Sequence, residues 1–168
     1  IMTTKHKLGQ YFTTNNDLKK KVFEFILNKP SNILEPSIGQ GDLITYITDK
    51  LPDITFDMYE IDQSIKLLDD IAKSDVIYCD FLQENINIKY DTIIGNPPYI
   101  KTKGGNIYIQ FIRKCWNLLE ENGELIFIVD FTLFIILPQF SSELPSVYLD
   151  TQVLVIYFLF NKLYSFLL

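Results

Sequence analysis

Short runs of β-forming residues alternate with amphipathic stretches along most of this chain. The runs that have the composition of buried strands are residues 32–34, 55–59, 76–79, 91–95 and 124–129. Such alternation is typical of parallel strands that are joined by crossover helices. The pattern therefore predicts an α/β fold with a doubly wound, mostly parallel sheet.

Amphipathic stretches precede or separate these strands, and each predicts a helix. They are residues 17–29, 41–51, 63–72 and 106–119. In the first stretch Leu18, Val22 and Ile26 share one face, and Asn16 can cap the helix. We therefore expect helices on both sides of the sheet.

Acidic side chains stand where the first three strands end, at Glu35, Glu60 and Asp80. The turn after Glu35 has glycines that let a ligand approach the backbone, but it lacks the dinucleotide fingerprint, and its carboxylate suits a cationic ligand. Glu60 is placed to accept hydrogen bonds from ribose hydroxyls. Asp80 offers an acceptor for an adenine amine, and Phe81 offers an apolar wall. Each residue alone would be a cap, a surface residue or a core residue, but together they predict a nucleoside-bearing cofactor.

The fourth strand leads directly into a rigid polar hook, Asn96-Pro97-Pro98-Tyr99. Proline fixes its own φ at roughly −65° and makes the preceding residue extended, so the Asn96 side chain and the Pro97 carbonyl can point the same way. These two oxygens can accept both hydrogens of one exocyclic amine while Tyr99 stacks on its ring. A proline-rich turn would use the same residues, and the neighbouring acids favour a site.

Composition indicates one globular, intracellular domain. The 168 residues are 48% hydrophobic and 21% charged, which are globular values. Cys79 and Cys115 lack the paired spacing of a disulfide framework or a zinc site, so no metal is expected. The start of the chain lacks the apolar core of a secretory leader, and no apolar run is long enough to span a bilayer, so we expect no membrane association.

The net charge of −6 argues against a protein that coats nucleic acid through charge alone. The distribution is uneven, however, and basic residues follow the hook. Lys101 and Lys103 lie in a glycine-rich stretch beside Tyr99 and are the better candidates for contacts to phosphate.

A series of five short motifs runs through the chain, at residues 8–14, 34–41, 59–62, 79–81 and 96–99. In this order they resemble the motifs of adenine-specific (N6) DNA methyltransferases of the gamma class. The resemblance implies a Rossmann-like sheet of the S-adenosylmethionine-dependent type, with S-adenosylmethionine as cofactor. It also implies methyl transfer to the exocyclic N6 amine of a flipped adenine in DNA, as restriction-modification methylases perform. Asparagine rather than serine at position 96 favours adenine over cytosine by the same analogy.

The resemblance also assigns site residues. Those expected to hold the cofactor are Gly9, Gln10, Tyr11, Phe12, Thr13, Glu35, Pro36, Ser37, Gly39, Glu60, Ile61, Asp80 and Phe81. Those expected to hold the target base are Asn96, Pro97, Pro98 and Tyr99. DNA phosphates are expected at Lys101 and Lys103.

The resemblance ends after Val129. We therefore expect a cofactor-binding and catalytic core at residues 1–130 and an apolar segment at 131–168, without a separate target-recognition domain. The chain is expected to be truncated after its catalytic core, with target recognition supplied by a further domain or a partner chain.

Two other functions fit the same motifs. A protein-glutamine methyltransferase uses the same hook on a side-chain amide, although that family carries a helical domain ahead of its core. A non-catalytic remnant or subunit would keep the cofactor fold and contribute only binding. Activity without a partner separates the second from an enzyme.

Overall fold

The computed structural model describes residues 12–102, 105–130, 146–150 and 153–159. Its strands are β1 (Asn32–Glu35), β2 (Thr55–Glu60), β3 (Val76–Tyr78), β4 (Tyr90–Gly95), β5 (Lys101–Thr102), β6 (Gly105–Asn106), β7 (Leu119–Asp130), β8 (Ser146–Asp150) and β9 (Val153–Leu159). Strands β5 and β6 form a small antiparallel ribbon, and the others form one seven-stranded sheet within the described part of the chain.

The order of strands in the large sheet is β3-β2-β1-β4-β7-β9-β8. The first five strands are parallel, whereas β9 runs antiparallel to β7 and β8 runs antiparallel to β9. The strand order reverses between β1 and β4, and ligands bind beyond the carboxyl ends of strands at such a switch point. The predicted doubly wound, mostly parallel sheet is confirmed.

Three α-helices flank the sheet in the described residues: α1 (Asn16–Glu24), α2 (Asp42–Thr48) and α3 (Ile107–Asn117). Each occupies part of a stretch for which the sequence predicts a helix. The predicted cap at Asn16 is wrong by one residue: Asn15 caps α1, and its side chain accepts from the backbone N–H groups of Asp17 and Leu18. Among the described residues, no helix has the length and apolar character needed to cross a membrane.

The predicted helix at residues 63–72 is wrong. This segment forms turns, in which the backbone N–H of Ile71 reaches only as far back as the carbonyl of Leu68. The N–H of Leu68 itself donates to the Gln40 carbonyl, 2.9 Å away in the turn after β1. The hydrogen bond from Leu68 to Gln40 thus replaces the i−4 hydrogen bond that a helix would make at this position. Residues 63–72 instead pack over the turn that contains Gly39 and Gly41, where Ile71 lies against Gly41.

The core lies in two layers, one on each face of the sheet. Helix α3 supplies Tyr108, Phe111 and Cys115 to one layer, and α1 and α2 pack in the other. The strand residues buried between them alternate faces, as Ile33 and Leu34 do in β1. This packing holds the carboxyl ends of the parallel strands at one edge of the sheet.

Candidate active site

A cleft lies at the carboxyl ends of β1, β2, β3 and β4. It encloses about 700 Å³, part of which is open to solvent. Its lining residues are Phe12, Pro36, Ser37, Gly39, Glu60, Ile61, Cys79, Asp80, Phe81, Asn96, Pro98, Ile100, Ile107 and Phe111. Sites for small molecules and cofactors commonly lie at this switch point of an α/β sheet.

A smaller pocket of about 260 Å³ adjoins the cleft. Among the described residues, it shares four with the lining of the cleft: Phe12, Ser37, Gly39 and Asn96. The residues that line only the smaller pocket are Thr13, Glu35, Ile38, Asp42 and Leu43. Asn96 therefore stands where the two spaces meet.

The structure brings together most residues for which the sequence predicts a site. Pro97 and Tyr99 line neither space, and Lys101 lies exposed on the small ribbon. Gly9, Gln10, Tyr11 and Lys103 lie outside the described residues. Among the described residues, no group of three or more His, Cys, Asp or Glu side chains is arranged to hold a metal ion.

Sequence reasoning missed several lining residues. Cys79 directly precedes Asp80 at the end of β3, and Ile100 directly follows the hook. Ile107 and Phe111 are four residues apart on α3, so they share one face of that helix and approach the cleft together. The helical spacing could have identified this pair, because the hook and α3 are adjacent in sequence.

Glu35 is a buried carboxyl group at the end of β1, with 2% of its surface exposed. Its Oε1 accepts a hydrogen bond from the backbone N–H of Ser37 at 3.0 Å. Burial raises the pKa of Glu35 to about 8, and the nearby Glu60 contributes in the same direction. A methyl group at Gly95 would lie 2.9 Å from this oxygen, so the glycine before Asn96 makes room for the carboxyl group.

Glu60 organises the backbone of two loops. Its Oε2 accepts from the N–H of Gly39, and its Oε1 accepts from the N–H groups of Ile61 and Asp62, all at 2.9 Å. Burial raises the pKa of Glu60, although these three bonds act in the opposite direction. A carboxylate offers about four acceptor positions, so Glu60 retains about one for a ligand.

Side chains of α3 contact the loop after β3 and hold it in place. Asp80 is exposed, and its Oδ1 accepts from the N–H of Leu82 at 3.0 Å. The ring of Phe81 stacks on Phe111 at 5.5 Å between centroids. Lys114 donates to the carbonyls of Phe81 and Glu84, and its ammonium group lies 4.7 Å from the centre of the Phe81 ring. Lys114 therefore supports this loop of the cleft.

The hook follows β4, and its side chains make hydrogen bonds to the segment before α1 and to β7. The Asn96 Nδ2 donates to Thr13 Oγ1 at 3.1 Å, and the Tyr99 hydroxyl donates to Asn96 Oδ1 at 2.7 Å. The same hydroxyl lies 3.0 Å from the Ile128 carbonyl on β7. The Tyr99 ring is partly buried and tilted against Tyr108, 6.3 Å between centroids.

The glycine turn yields a prediction for stability. Gly41 has φ of 97°, and a methyl group there would lie 1.9 Å from Ile71 Cδ1. We expect Gly41→Ala to lower the free energy of unfolding by about 2 to 4 kcal/mol, because left-handed strain and overpacking add. Urea denaturation measures this change.

Gly105→Ala is the matched control. Gly105 has φ of 99°, but no atom of the described residues lies within 4 Å of the added methyl group. Gly105→Ala should lower the free energy of unfolding only by the backbone strain, about 1 to 2 kcal/mol. Equal losses in the two variants would show that the Ile71 contact is unimportant.

Residues 10–144 of this chain match the protein family described as Eco57I restriction-modification methylase. Among curated relatives, the Type II methyltransferase M.CvrRI of Paramecium bursaria Chlorella virus XZ-6E is 34% identical over 132 residues, which are 70% of this chain and 35% of the relative. The Modification methylase CviBIII of Paramecium bursaria Chlorella virus NC1A is 31% identical over 151 residues, 77% of this chain and 39% of the relative. The chain thus spans less than half the length of these relatives.

A third relative carries a different name. Ribosomal RNA small subunit methyltransferase A of Mycoplasma genitalium is 35% identical over 103 residues, which are 55% of this chain and 39% of the relative.

Solved structures share the fold at low identity. A class I S-adenosylmethionine-dependent methyltransferase from Listeria monocytogenes superposes with a TM-score of 0.64 at 13% identity, covering 96% of this chain and 63% of that one. Precorrin-6y C5,15-methyltransferase from Geobacter metallireducens gives 0.67 at 10% identity, covering 91% and 92%. The chain has the Rossmann-like fold of S-adenosylmethionine-dependent methyltransferases, as predicted.

Proposed function

Because the chain belongs to the Eco57I restriction-modification methylase family, we propose that it transfers a methyl group from S-adenosylmethionine to the N6 amine of an adenine in DNA. The observation that carries the proposal is the position of Asn96 at the junction of the two pockets, beside the acids of the strand ends. An acceptor for an amine and a set of acceptors for a cationic nucleoside thus line two adjoining pockets.

The residues of the cleft fit S-adenosylmethionine. This cofactor carries an amine, a sulfonium, two ribose hydroxyls and an adenine amine, which need acceptors or negative charge. Glu35, Glu60 and Asp80 provide carboxyl groups at successive strand ends. Ile61, 57% exposed, and Phe81 provide apolar surface for an adenine ring. When bound, the cofactor supplies an electrophilic methyl group.

The hook acts on the acceptor nitrogen. Asn96 Oδ1 and the Pro97 carbonyl accept the two hydrogens of the amine, and both bonds strengthen as the nitrogen becomes pyramidal during attack. This directs the nitrogen lone pair towards the methyl group. The methylated nitrogen then releases one proton to solvent, and the amine is restored with one hydrogen replaced by methyl.

A base stacked in duplex DNA cannot reach this cavity, so the adenine must leave the helix. Unstacking costs a few kcal/mol, and stacking on Tyr99, which lies beside the cleft residues Pro98 and Ile100 but outside the lining of both pockets, is proposed to offset part of it. Lys101 is exposed beside the hook and is proposed to contact a flanking phosphate. The core at residues 1–130 carries these groups, and sequence-specific recognition is proposed to come from a further domain or partner.

A prediction for cofactor affinity concerns Glu60. We expect Glu60→Ala to weaken binding of S-adenosylmethionine about 10- to 150-fold, because a charge-assisted hydrogen bond to a ribose hydroxyl is lost together with the bonds that hold Gly39 and Ile61. Isothermal calorimetry measures the affinity. Glu84→Ala, which removes an exposed carboxylate outside the lining of the cleft, is the matched control. Unchanged affinity in the Glu60 variant would remove this residue from the site.

Ribosomal RNA is the second candidate acceptor. The relative named Ribosomal RNA small subunit methyltransferase A matches this chain at an identity similar to that of the Type II methyltransferases. The hook holds an amine without contacting the sugar, so it does not discriminate DNA from RNA by itself. Discrimination between DNA and RNA must therefore come from the segments that bind the sugar and the phosphates.

One labelling experiment separates these functions. The chain is incubated with S-adenosylmethionine labelled in the methyl group and with duplex DNA, ribosomal RNA or a glutamine-bearing protein in parallel. We expect label in DNA. Label in RNA would favour the second candidate, label in protein would favour a glutamine methyltransferase, and cofactor binding without label would favour a non-catalytic subunit.

A further inference from the structure

Two hydroxyl groups hold the side-chain amide of Asn96, one at each end. Thr13 Oγ1 accepts from Nδ2 at 3.1 Å, and the Tyr99 hydroxyl donates to Oδ1 at 2.7 Å. Thr13 is only 6% exposed, and it comes from the segment that precedes α1, far from the hook in sequence. The chain thus contacts this amide from two directions.

Orientation matters for this amide because its two ends are chemically opposite. The oxygen accepts hydrogen bonds, whereas the nitrogen only donates them. The terminal torsion of asparagine has broad, roughly two-fold preferences, so the side chain alone does not select which end faces the acceptor amine. A hydroxyl both donates and accepts, so contacts to two hydroxyls fix the plane of the amide and the position of its oxygen and nitrogen atoms rather than choose between its ends.

We propose that the hydroxyl groups of Thr13 and Tyr99 are positioning groups that hold the plane of the Asn96 amide in place before the acceptor amine arrives. The inference rests on the proposed function of Asn96 as an acceptor for that amine. It gives Thr13, which the family resemblance assigns to the cofactor, a separate task on the acceptor side of the site.

The Ile128 carbonyl gives the Tyr99 hydroxyl a second acceptor. This carbonyl lies 3.0 Å from the hydroxyl oxygen, and Asn96 Oδ1 lies 2.7 Å from it. A hydroxyl has one proton, so it donates fully to one of the two oxygens at a time. The amide oxygen has two lone pairs, so Oδ1 can accept from Tyr99 and from the substrate amine at the same time, with the Ile128 carbonyl as the alternative acceptor for the Tyr99 proton.

Conservative variants test the proposal. Tyr99→Phe keeps the ring for stacking and removes the hydroxyl, and Thr13→Val keeps the shape and removes the hydroxyl. We expect each to lower kcat about 3- to 10-fold, the rate equivalent of one neutral hydrogen bond, with KM for DNA and cofactor affinity within 2-fold of the parent. Thr13→Ser, which retains the hydroxyl, should restore the parental kcat.

Tyr90→Phe is the matched control for Tyr99→Phe. The Tyr90 hydroxyl donates to Asp57 Oδ2 at 2.8 Å, and Tyr90 lines neither pocket. Its loss should leave kcat unchanged. A fall in kcat equal to that of Tyr99→Phe would mean that loss of stability, and not orientation of the amide, limits the rate.

A second readout needs neither cofactor nor nucleic acid. Nitrogen-15 NMR follows the side-chain amide of Asn96, assigned by its disappearance in Asn96→Ala. We expect slow hydrogen exchange in the parent and in Thr13→Ser, and at least 3-fold faster exchange in Thr13→Val. Tyr99→Phe should shift the amide resonances.

The two readouts distinguish failure of this inference from failure of the proposed function. A parent chain that labels no acceptor, but whose Asn96 amide responds to both variants as expected, would overturn the function and support the positioning role. Exchange in the parent as fast as that of a solvated amide would overturn the positioning role. The positioning role would also be overturned if Tyr99→Phe and Thr13→Val both kept the parental kcat and the parental rate of hydrogen exchange at the Asn96 amide.

Discussion

Replacing Asn96 with alanine is expected to lower the rate of methyl transfer by at least about 10²- to 10³-fold, the cost of removing one acceptor that acts in the transition state. The affinity for S-adenosylmethionine should stay close to that of the parent, because the side chain is proposed to act on the acceptor nitrogen. Single-turnover transfer at saturating cofactor gives the rate, and calorimetry gives the affinity.

Asn32→Ala is the matched control for this experiment. Asn32 Nδ2 also makes a side-chain hydrogen bond, to Asp57 at 3.0 Å, but it lies at the start of β1, at the opposite end of the strand from the cleft. It should leave the transfer rate near that of the parent. A folded, cofactor-saturated Asn96→Ala protein that methylates at the parental rate would contradict the role of the hook.

The second large effect is a dependence of stability on pH that arises from Glu35. Its pKa is raised by burial from 4.5 to about 8 in the folded chain, so the folded state keeps a proton that the unfolded state has lost. The free energy of unfolding should therefore fall as pH rises from about 4.5 to about 8, by at most about 5 kcal/mol. Urea denaturation at pH 5, 7 and 9 measures the slope.

Glu35→Gln should flatten this dependence, because the neutral amide has no proton to lose. The variant should be more stable than the parent at pH 9 and similar to it at pH 5. Glu84→Gln changes an exposed carboxylate in the loop after β3 and serves as the matched control, with a slope like that of the parent. Equal slopes in the parent and in Glu35→Gln would contradict the buried carboxyl group as the source.

Binding of the cofactor should also change the protonation of the Glu35 carboxyl group. A cationic ligand beside Glu35 favours the carboxylate, so binding near pH 7 should release up to one proton. Calorimetry in buffers of different ionisation enthalpy detects this release.

The sequence predicted the five parallel strands of the sheet and the position of the acids because both depend on local patterns, but it did not predict β8 and β9 in the apolar segment. Buried strands are short apolar runs, and the side chains that follow parallel strands meet at one edge of the sheet. Glu35, Glu60 and Asp80 could therefore be placed at one site without knowledge of the packing.

Other features depended on contacts between distant segments. The residues 63–72 have a helical pattern, but the bond from Leu68 to Gln40 holds them as turns. The bond of Asn96 to Thr13 joins residues 83 positions apart, and no local pattern indicates it. Glu60 was expected to face a ribose, and its three bonds to backbone N–H groups became visible only in the folded chain.

The central claim is that this site methylates the N6 amine of adenine in DNA. The most direct measurement is mass spectrometry of nucleosides digested from duplex DNA after incubation with the chain and methyl-labelled S-adenosylmethionine. We expect labelled N6-methyldeoxyadenosine with the parent chain and none above background with Asn96→Ala. Labelled methylcytosine alone, or equal N6-methyldeoxyadenosine from both proteins, would contradict it.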